Sequence, residues 1–184
     1  MIELNNILAG CKLNDRVCQE KLYLHFYPAM FNLCNKFFDD NHDIVTAVNN
    51  GMLRVYKHID QYDSQKADFF TWMYAIVRNA ALTQIRDKKT KTSFVELKND
   101  VADNTNEINP FKETSEVDLF VHLGKLTNTT RAVCSLFYIE DYSIKEIAAS
   151  LAMKEGTVKW HLSEGRSKLK IIFQNNLIKV ANVG

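Results

Sequence analysis

Glycine is scarce in this chain: six among 184 residues. None falls in a phosphate-cradling run such as GxGxxG or GxxxxGK[ST], which excludes nucleotide loops of those kinds. The four cysteines, Cys11, Cys18, Cys34 and Cys134, form no CxxC and accompany no histidine pair at zinc-finger spacing, so buried thiols are expected and a structural metal is not. The five histidines are scattered, and no nucleophile stands beside a base. Catalysis has no visible seat, so neither an enzyme nor a cofactor is expected. No apolar run approaches membrane-spanning length, and the start MIELNNILAG lacks the basic residues and long apolar stretch of a signal peptide. An intracellular, cytoplasmic protein without membrane insertion is expected. Strand-like alternation is rare too, whereas helical periodicity recurs almost from end to end, which predicts an all-α protein.

Charge is present but uneven. The net charge of +1 conceals alternating blocks. Residues 78–91 hold Arg78, Arg86, Lys88, Lys89 and Lys91 against Asp87, whereas residues 92–120 hold seven acids and two bases. From residue 154 onward the bases Lys154, Lys159, Arg166, Lys168, Lys170 and Lys179 face only Glu155 and Glu164. A basic excess of that kind attracts phosphates.

The most informative stretch is SIKEIAASLAMKEGTVKWHLSEGRSKLK, residues 143–170. Ser143 and Glu146 have capping-box spacing, and Ile144, Ile147, Ala148 and Leu151 form a one-sided apolar stripe. Ala152, Met153 and Lys154 interrupt it. A second stripe of Val158, Leu162, Leu169 and Ile172 follows, with Gly165 on the same side. Two helices joined by a three-residue turn read as a helix-turn-helix. The far side of the second helix carries Gly156, Thr157, Trp160, Ser163, Glu164 and Ser167, flanked by Lys159, Arg166, Lys168 and Lys170, a face suited to a DNA major groove. An ordinary helical hairpin would also show a polar outer face, but it gives no reason for the basic clustering or for an outward Trp160.

Upstream, residues 22–38 (LYLHFYPAMFNLCNKFF) predict a buried helix, or one bent near Pro28, with core aromatics. Asp43 is placed to cap a second helix, ending near Asp60, whose stripe is Ile44, Val48, Met52, Val55 and Ile59, with Asn49, Asn50, Arg54 and Lys57 on other faces. Residues 61–68 are a polar loop. FFTWMYAIVRNAALTQIRDKK then predicts a long helix, apolar early and basic late, in which the spacing of Trp72 allows a core or an outward position. These elements set a first domain at residues 1–91. Residues 92–116, with Pro110 and several Asn and Asp, read as an acidic flexible linker. A second helical domain spans 117–184 and includes TNTTRAVCSLFYI, with Asn128 or a neighbouring Thr as cap and Val133, Leu136 and Phe137 inward.

Over residues 10–173 this arrangement resembles the bacterial sigma-70 family, in its compact extracytoplasmic-function group. The residues that carry the likeness are Trp72, Arg78, Asn79 and Arg86 in the first half, and the EIA and GTVK elements, Glu146 to Ala148 and Gly156 to Lys159, in the second. GCKLNDRVCQEKLYLHFYPAMFNLCNKFF is similar to a subgroup common in Bacteroidetes. The resemblance implies a promoter-specificity subunit without an active site. Its C-terminal domain, sigma region 4, would read the minus-35 element through Gly156, Thr157, Lys159, Trp160, His161, Ser163 and Arg166, with Lys159 and Arg166 on phosphates. Its N-terminal domain, sigma region 2, would open minus-10 DNA through Tyr62, Trp72, Arg78, Asn79, Arg86, Lys88 and Lys89, and would bind core RNA polymerase through Asn49, Asn50 and Arg54. The implied partners are core polymerase, promoter DNA and a membrane-bound anti-sigma factor.

Some positions depart from the family pattern. Val45, Thr46 and Asn50 replace carboxylates and Asn49 replaces a glutamine, so the polymerase-facing surface is less negative. Lys154 stands where a capping serine is common, at a cost of about 1 kcal/mol. A helix-turn-helix regulator would account for the second half but not for the Trp72, Arg78, Asn79 and Arg86 set. A polymerase-binding decoy without promoter activity would fit the missing carboxylates.

Overall fold

The computed structural model describes residues 2–92 and 122–181, with side chains for residues 3–88 and 122–170. The linker expected at residues 92–116 lies outside the described residues apart from Thr92, as do the side chains of Lys89 and Ile172. All regular structure among the described residues is helical: α1 (Ile2–Lys12), α2 (Arg16–Asn35), α3 (Asn41–His58), a 3-10 turn (Ile59–Gln61), α4 (Phe69–Thr92), α5 (Asn128–Tyr138), α6 (Ile144–Ser150) and α7 (Glu155–Ala181). The chain divides into two compact units, one built from Met1–Asn35 with Asp39–Gln84 and the other containing α5 to α7.

In the first unit α2 packs on α1 and α3. The stripe read on α3 is its buried face: Ile44, Val48, Met52 and Val55, with Ile59 just beyond, are all at most 2% exposed. They meet a core that includes Leu22, Met30 and Leu33 of α2 and Met73 and Val77 of α4, each burial stabilising by about 1.5–3 kcal/mol. Tyr56 Oη donates to Gln19 O at 2.8 Å, tying α3 to α2.

The helix expected around Pro28 is present with an earlier start, and two local expectations are corrected. Helix α2 begins at Arg16 and runs through Pro28; Leu24 and Pro28 are both exposed, so the carbonyl that the missing N–H leaves open faces water. The cap of α3 is Asp40, whose carboxylate accepts from the N–H of His42 and Asp43; Asp43 lies inside the first turn, buried, with its carbonyl accepting from Gln84 Nε2 at 3.1 Å. The aromatics of residues 22–38 divide. Phe26, Phe37 and Phe38 are core, whereas Tyr23, Tyr27 and Phe31 form a half-buried row along α2 with successive centroids 5.3 and 5.8 Å apart.

In the second unit α7 packs on α5 and α6. The cap of α5 is Thr127 rather than Asn128, its hydroxyl accepting from Thr130 N–H. Val133 and Leu136 are buried as expected, but Phe137 is only half-buried and meets Tyr138 edge-on at 5.0 Å.

Gly51 decides how closely α3 and α4 approach. A Cβ built there would lie 2.9 Å from the Val77 backbone and from both of its methyls. We expect Gly51→Ala to destabilise the first unit by a net of up to about 2 kcal/mol, because overpacking costs about 1–3 kcal/mol and Ala regains only roughly 1 kcal/mol over Gly in a helix. Urea unfolding of the two proteins measures the sign.

Candidate nucleic-acid interface

The helix-turn-helix is set by local hydrogen bonds. Ser143 N–H donates to Glu146 Oε2 at 2.9 Å and Glu146 N–H returns to Ser143 Oγ at 3.3 Å, so the capping box is present. The Ser143 hydroxyl bond, then its backbone bond, hold the exposed Glu146 carboxyl below its ordinary value. At the other end of α6, Met153 N–H donates to Ala148 O and Ala152 N–H to Ala149 O, the paired bonds that close a helix on a left-handed residue. That residue is Ala152, φ 48°, where a side chain costs about 1 kcal/mol. Lys154 O then accepts from Thr157 and Val158 N–H at 3.0 and 3.1 Å, which starts α7 on a lysine with no side-chain acceptor.

The faces of α7 separate largely as its sequence indicates. Val158, Leu162 and Leu169 are at most 2% exposed and Gly165 is buried. Gly156 is exposed and a Cβ there would meet nothing within 4 Å, so the fold itself does not require a glycine at this position. Thr157, Lys159, Trp160, Ser163 and Arg166 are partly exposed, and Lys168 pairs with Glu164 at 2.7 Å. His161 is a correction. It is buried, with Nδ1 2.9 Å from Thr130 Oγ1, so it faces α5 and not a base edge. One residue away from Leu162, it falls on the margin of the apolar stripe, and the hydroxyl on α5 draws it inward. Trp160 braces edge-on against its ring, centroids 4.8 Å apart at 74°.

In the first unit the loop at residues 61–68 is ordered by its aspartates. Asp63 accepts from Gln65 N–H at 2.9 Å, and Asp68 caps α4, accepting from both the N–H and the hydroxyl of Thr71 at 2.9 and 2.7 Å. Phe69 is buried and anchors an aromatic cluster in which Tyr62 lies 5.2 Å from Phe69 and 5.5 Å from Trp72. Trp72 is therefore neither fully core nor free: it is half-buried beside Tyr62. Further along α4, the Arg78 guanidinium lies 5.9 Å from the Tyr74 ring centroid. Asn79 and Lys88 are exposed and Arg86 is half-buried.

On α3, Asn49 and Asn50 are exposed, and Asn49 Oδ1 accepts from Tyr23 Oη at 2.8 Å. Arg54 departs from its expected outward position: it is half-buried and Nη1 reaches Thr83 Oγ1 of α4 at 3.4 Å. The outward place between Asn49, Asn50 and Lys57 belongs to Leu53, 65% exposed. Its signal in the sequence was an apolar residue standing off the stripe. Among the described residues no group of three or more His, Cys, Asp or Glu is placed to hold a metal, and no helix is long and apolar enough to cross a membrane.

Two family models match the chain in order: Sigma-70 region 2 over residues 22–91 and Sigma-70, region 4, over residues 122–169. The ECF RNA polymerase sigma factor SigW of Bacillus subtilis is 27% identical over 160 residues, covering 77% of this chain and 81% of that protein. SigM of the same organism is 21% identical over 164 residues, covering 86% and 96%. Among solved structures, the sigma factor RpoE of Bartonella quintana, in complex with the anti-sigma factor NepR, is 17% identical with a TM-score of 0.47, covering 84% of this chain and 96% of that one.

The Asp68 cap carries a pH signature. Its bonds from Thr71, side chain then backbone, hold this exposed carboxyl below its ordinary value of 3.8. A depressed folded pKa means that the contribution is present above the unfolded value and is lost as pH falls through the folded one. Asp68→Ala should therefore melt below wild type at neutral pH, with the gap closing as pH drops under 3.8. Thermal melts of both proteins across pH 2.5–7 measure it; a gap that persists unchanged at the acid end assigns the effect to lost packing.

Proposed function

The chain belongs to the sigma-70 family, with the region 2 and region 4 domains of its extracytoplasmic-function group, and from that premise we propose how its two units divide the work of a promoter-specificity subunit. Residues 1–91 bind core RNA polymerase and hold the opened minus-10 strand, residues 92–116 link, and residues 117–184 read the minus-35 element. The observation that carries this is the order of the two family matches on one chain, since a DNA-binding regulator calls for the second alone. The partners in this reading are core polymerase, promoter DNA and a membrane-bound anti-sigma factor, and the chain works in the cytoplasm. Its N-terminal segment supports a source among the Bacteroidetes.

Region 4 places α7 in the major groove. Lys159 and Arg166 neutralise phosphates, while Gly156, Thr157, Trp160 and Ser163 approach the bases. Gly156, with open space about it, leaves room for the DNA. In region 2 the melted strand needs a stacking surface and cationic donors. The partly exposed rings of Tyr62 and Trp72 supply the first, and Arg78, Asn79, Arg86, Lys88 and Lys89 supply the second. Asn49 and Asn50 contact polymerase, and Leu53 adds apolar area that compensates for the carboxylates missing at Val45, Thr46 and Asn50. Arg54 supports this face from behind through Thr83. Nothing in the reading asks for bond chemistry by the chain itself.

Run-off transcription with purified core polymerase tests the reading. Polymerase plus the chain should initiate at discrete promoters; polymerase binding without initiation marks a decoy, and sequence-specific DNA binding without any polymerase requirement marks a regulator. The Arg78→Ala, Asn79→Ala double variant should form closed complexes whose minus-10 thymines stay unreactive to permanganate. Wild-type reactivity in that variant would move the melting site elsewhere.

Lys159→Ala and Arg166→Ala should each weaken binding about equally on all sequences and lower the slope of log affinity against log salt by about 1. Trp160→Ala should change the preferred minus-35 sequence, each lost base contact costing about 1–3 kcal/mol. Salt titrations and binding-site selection separate the two behaviours.

A further inference from the structure

The strongest unexplained feature lies behind the recognition helix. Thr130 of α5 is completely buried, yet its one hydroxyl has three side-chain partners: Thr127 Oγ1 donates to it at 3.0 Å, it donates to Glu164 Oε2 at 3.3 Å, and His161 Nδ1 lies at 2.9 Å. A hydroxyl has one proton and two lone pairs. With the proton given to the carboxylate and one lone pair taken by Thr127, the other accepts from His161, whose Nδ1 is thereby the protonated nitrogen. Glu164 in turn holds Lys168 at 2.7 Å, and the His161 ring braces Trp160.

The helices come close enough for this because of Gly165. A Cβ there would collide with Cys134 Sγ and lie 3.4 Å from the Thr130 methyl. Val158, Leu162 and Leu169 of α7 add apolar burial. Apolar burial is non-directional and resists rolling of α7 about its own axis only weakly, whereas hydrogen bonds at these distances are directional. With side chains about 5–6 Å from the helix axis, a roll of roughly 10° moves their tips by about 1 Å, enough to lose a base-edge hydrogen bond.

We infer that Thr130, through His161 and Glu164, is a positioning residue for upstream promoter recognition: it sets the rotation of α7 and the seat of Trp160 on DNA without touching DNA. The inference rests on the promoter reading above and adds a determinant of specificity outside the DNA-facing residues. Phosphate contacts tolerate a small roll because Lys and Arg side chains are long, so loss of the lock lowers discrimination among sequences and spares general affinity.

The test uses holoenzyme assembled from the full chain and core polymerase, incubated with a pool of fully randomised duplex DNA. Wild type should enrich one upstream motif. Thr130→Val, which keeps the shape and removes the hydroxyl, should enrich it about tenfold less, with the bulk pool bound at low salt and the salt slope unchanged. Thr130→Ser, which restores the hydroxyl, should return enrichment to within about twofold of wild type. A structural role alone would lower specific and bulk binding together. Enrichment by Thr130→Val equal to wild type overturns the inference, and so does a Thr130→Ser variant as poor as Thr130→Val, which would assign the effect to the lost methyl. If Thr130→Val does not fold, His161→Phe keeps a ring against Trp160 without the Nδ1 donor; it should show the same tenfold loss, and wild-type enrichment there is equally fatal. A wild-type holoenzyme that enriches no motif overturns the promoter reading itself and this inference with it, an outcome distinct from the others.

Discussion

Two helices can approach only as closely as the side chains between them permit, and both units of this protein depend on a crossing where that side chain is missing. At Gly51 the α3 backbone lies against Val77 of α4, and at Gly165 α7 lies against Cys134 of α5. Other features follow from these approaches. With α3 drawn onto α4, Arg54 reaches Thr83 and Gln84 reaches the Asp43 carbonyl. With α7 drawn onto α5, a threonine hydroxyl reaches both a histidine and a glutamate, and burial pushes the Cys134 thiol up to about 12. A thiol with that pKa stays protonated and acts as a small apolar filler, as do Cys11 and Cys34, also raised chiefly by burial. Glycine is scarce in this chain, but three of the few present stand at close approaches, Gly10 against Cys18 being the third.

The interface residues are oriented by short-range polar devices at helix ends. Asp40, Asp68, Thr127 and Ser143 all accept from first-turn N–H groups. Each fixes where a helix begins, and hence which residues come round to the outer face 3.6 residues later. The start of α7 is different: Lys154 offers no side-chain acceptor, and a positive charge at a helix N-terminus is unfavourable in the isolated protein. A phosphate bound there would reverse the sign of that interaction. This helix start, without a side-chain cap, lies on the surface proposed for DNA.

The elements and buried stripes were the most legible part of the chain. The apolar positions of α3 and of the helix-turn-helix follow a 3.6-residue period, and an amphipathic helix has one way to bury such a stripe. Caps were legible in kind but not always in position: Asp40 and Asp43 are both good acceptors before the same stripe, and the choice between them depends on Asp43 being buried near Gln84. The aromatics of α2 were over-assigned to the core, because composition does not distinguish a ring that fills a core from one that lies along a half-buried row.

By itself, then, the sequence determined an all-helical chain, the two units in order, the helix-turn-helix and the basic face of its second helix, because these depend on periodicity and charge within a window of a few turns. The tertiary structure alone decided the orientation of residues on the margins of the stripes. His161, Leu53 and Arg54 each sit within about one residue, or 100° of helix, of a boundary between faces. At such positions the sequence period is silent. The outcome is set by what the neighbouring helix offers: a hydroxyl from α5 that turns His161 inward and a hydroxyl from α4 that draws in Arg54, while Leu53 stays exposed among the described residues.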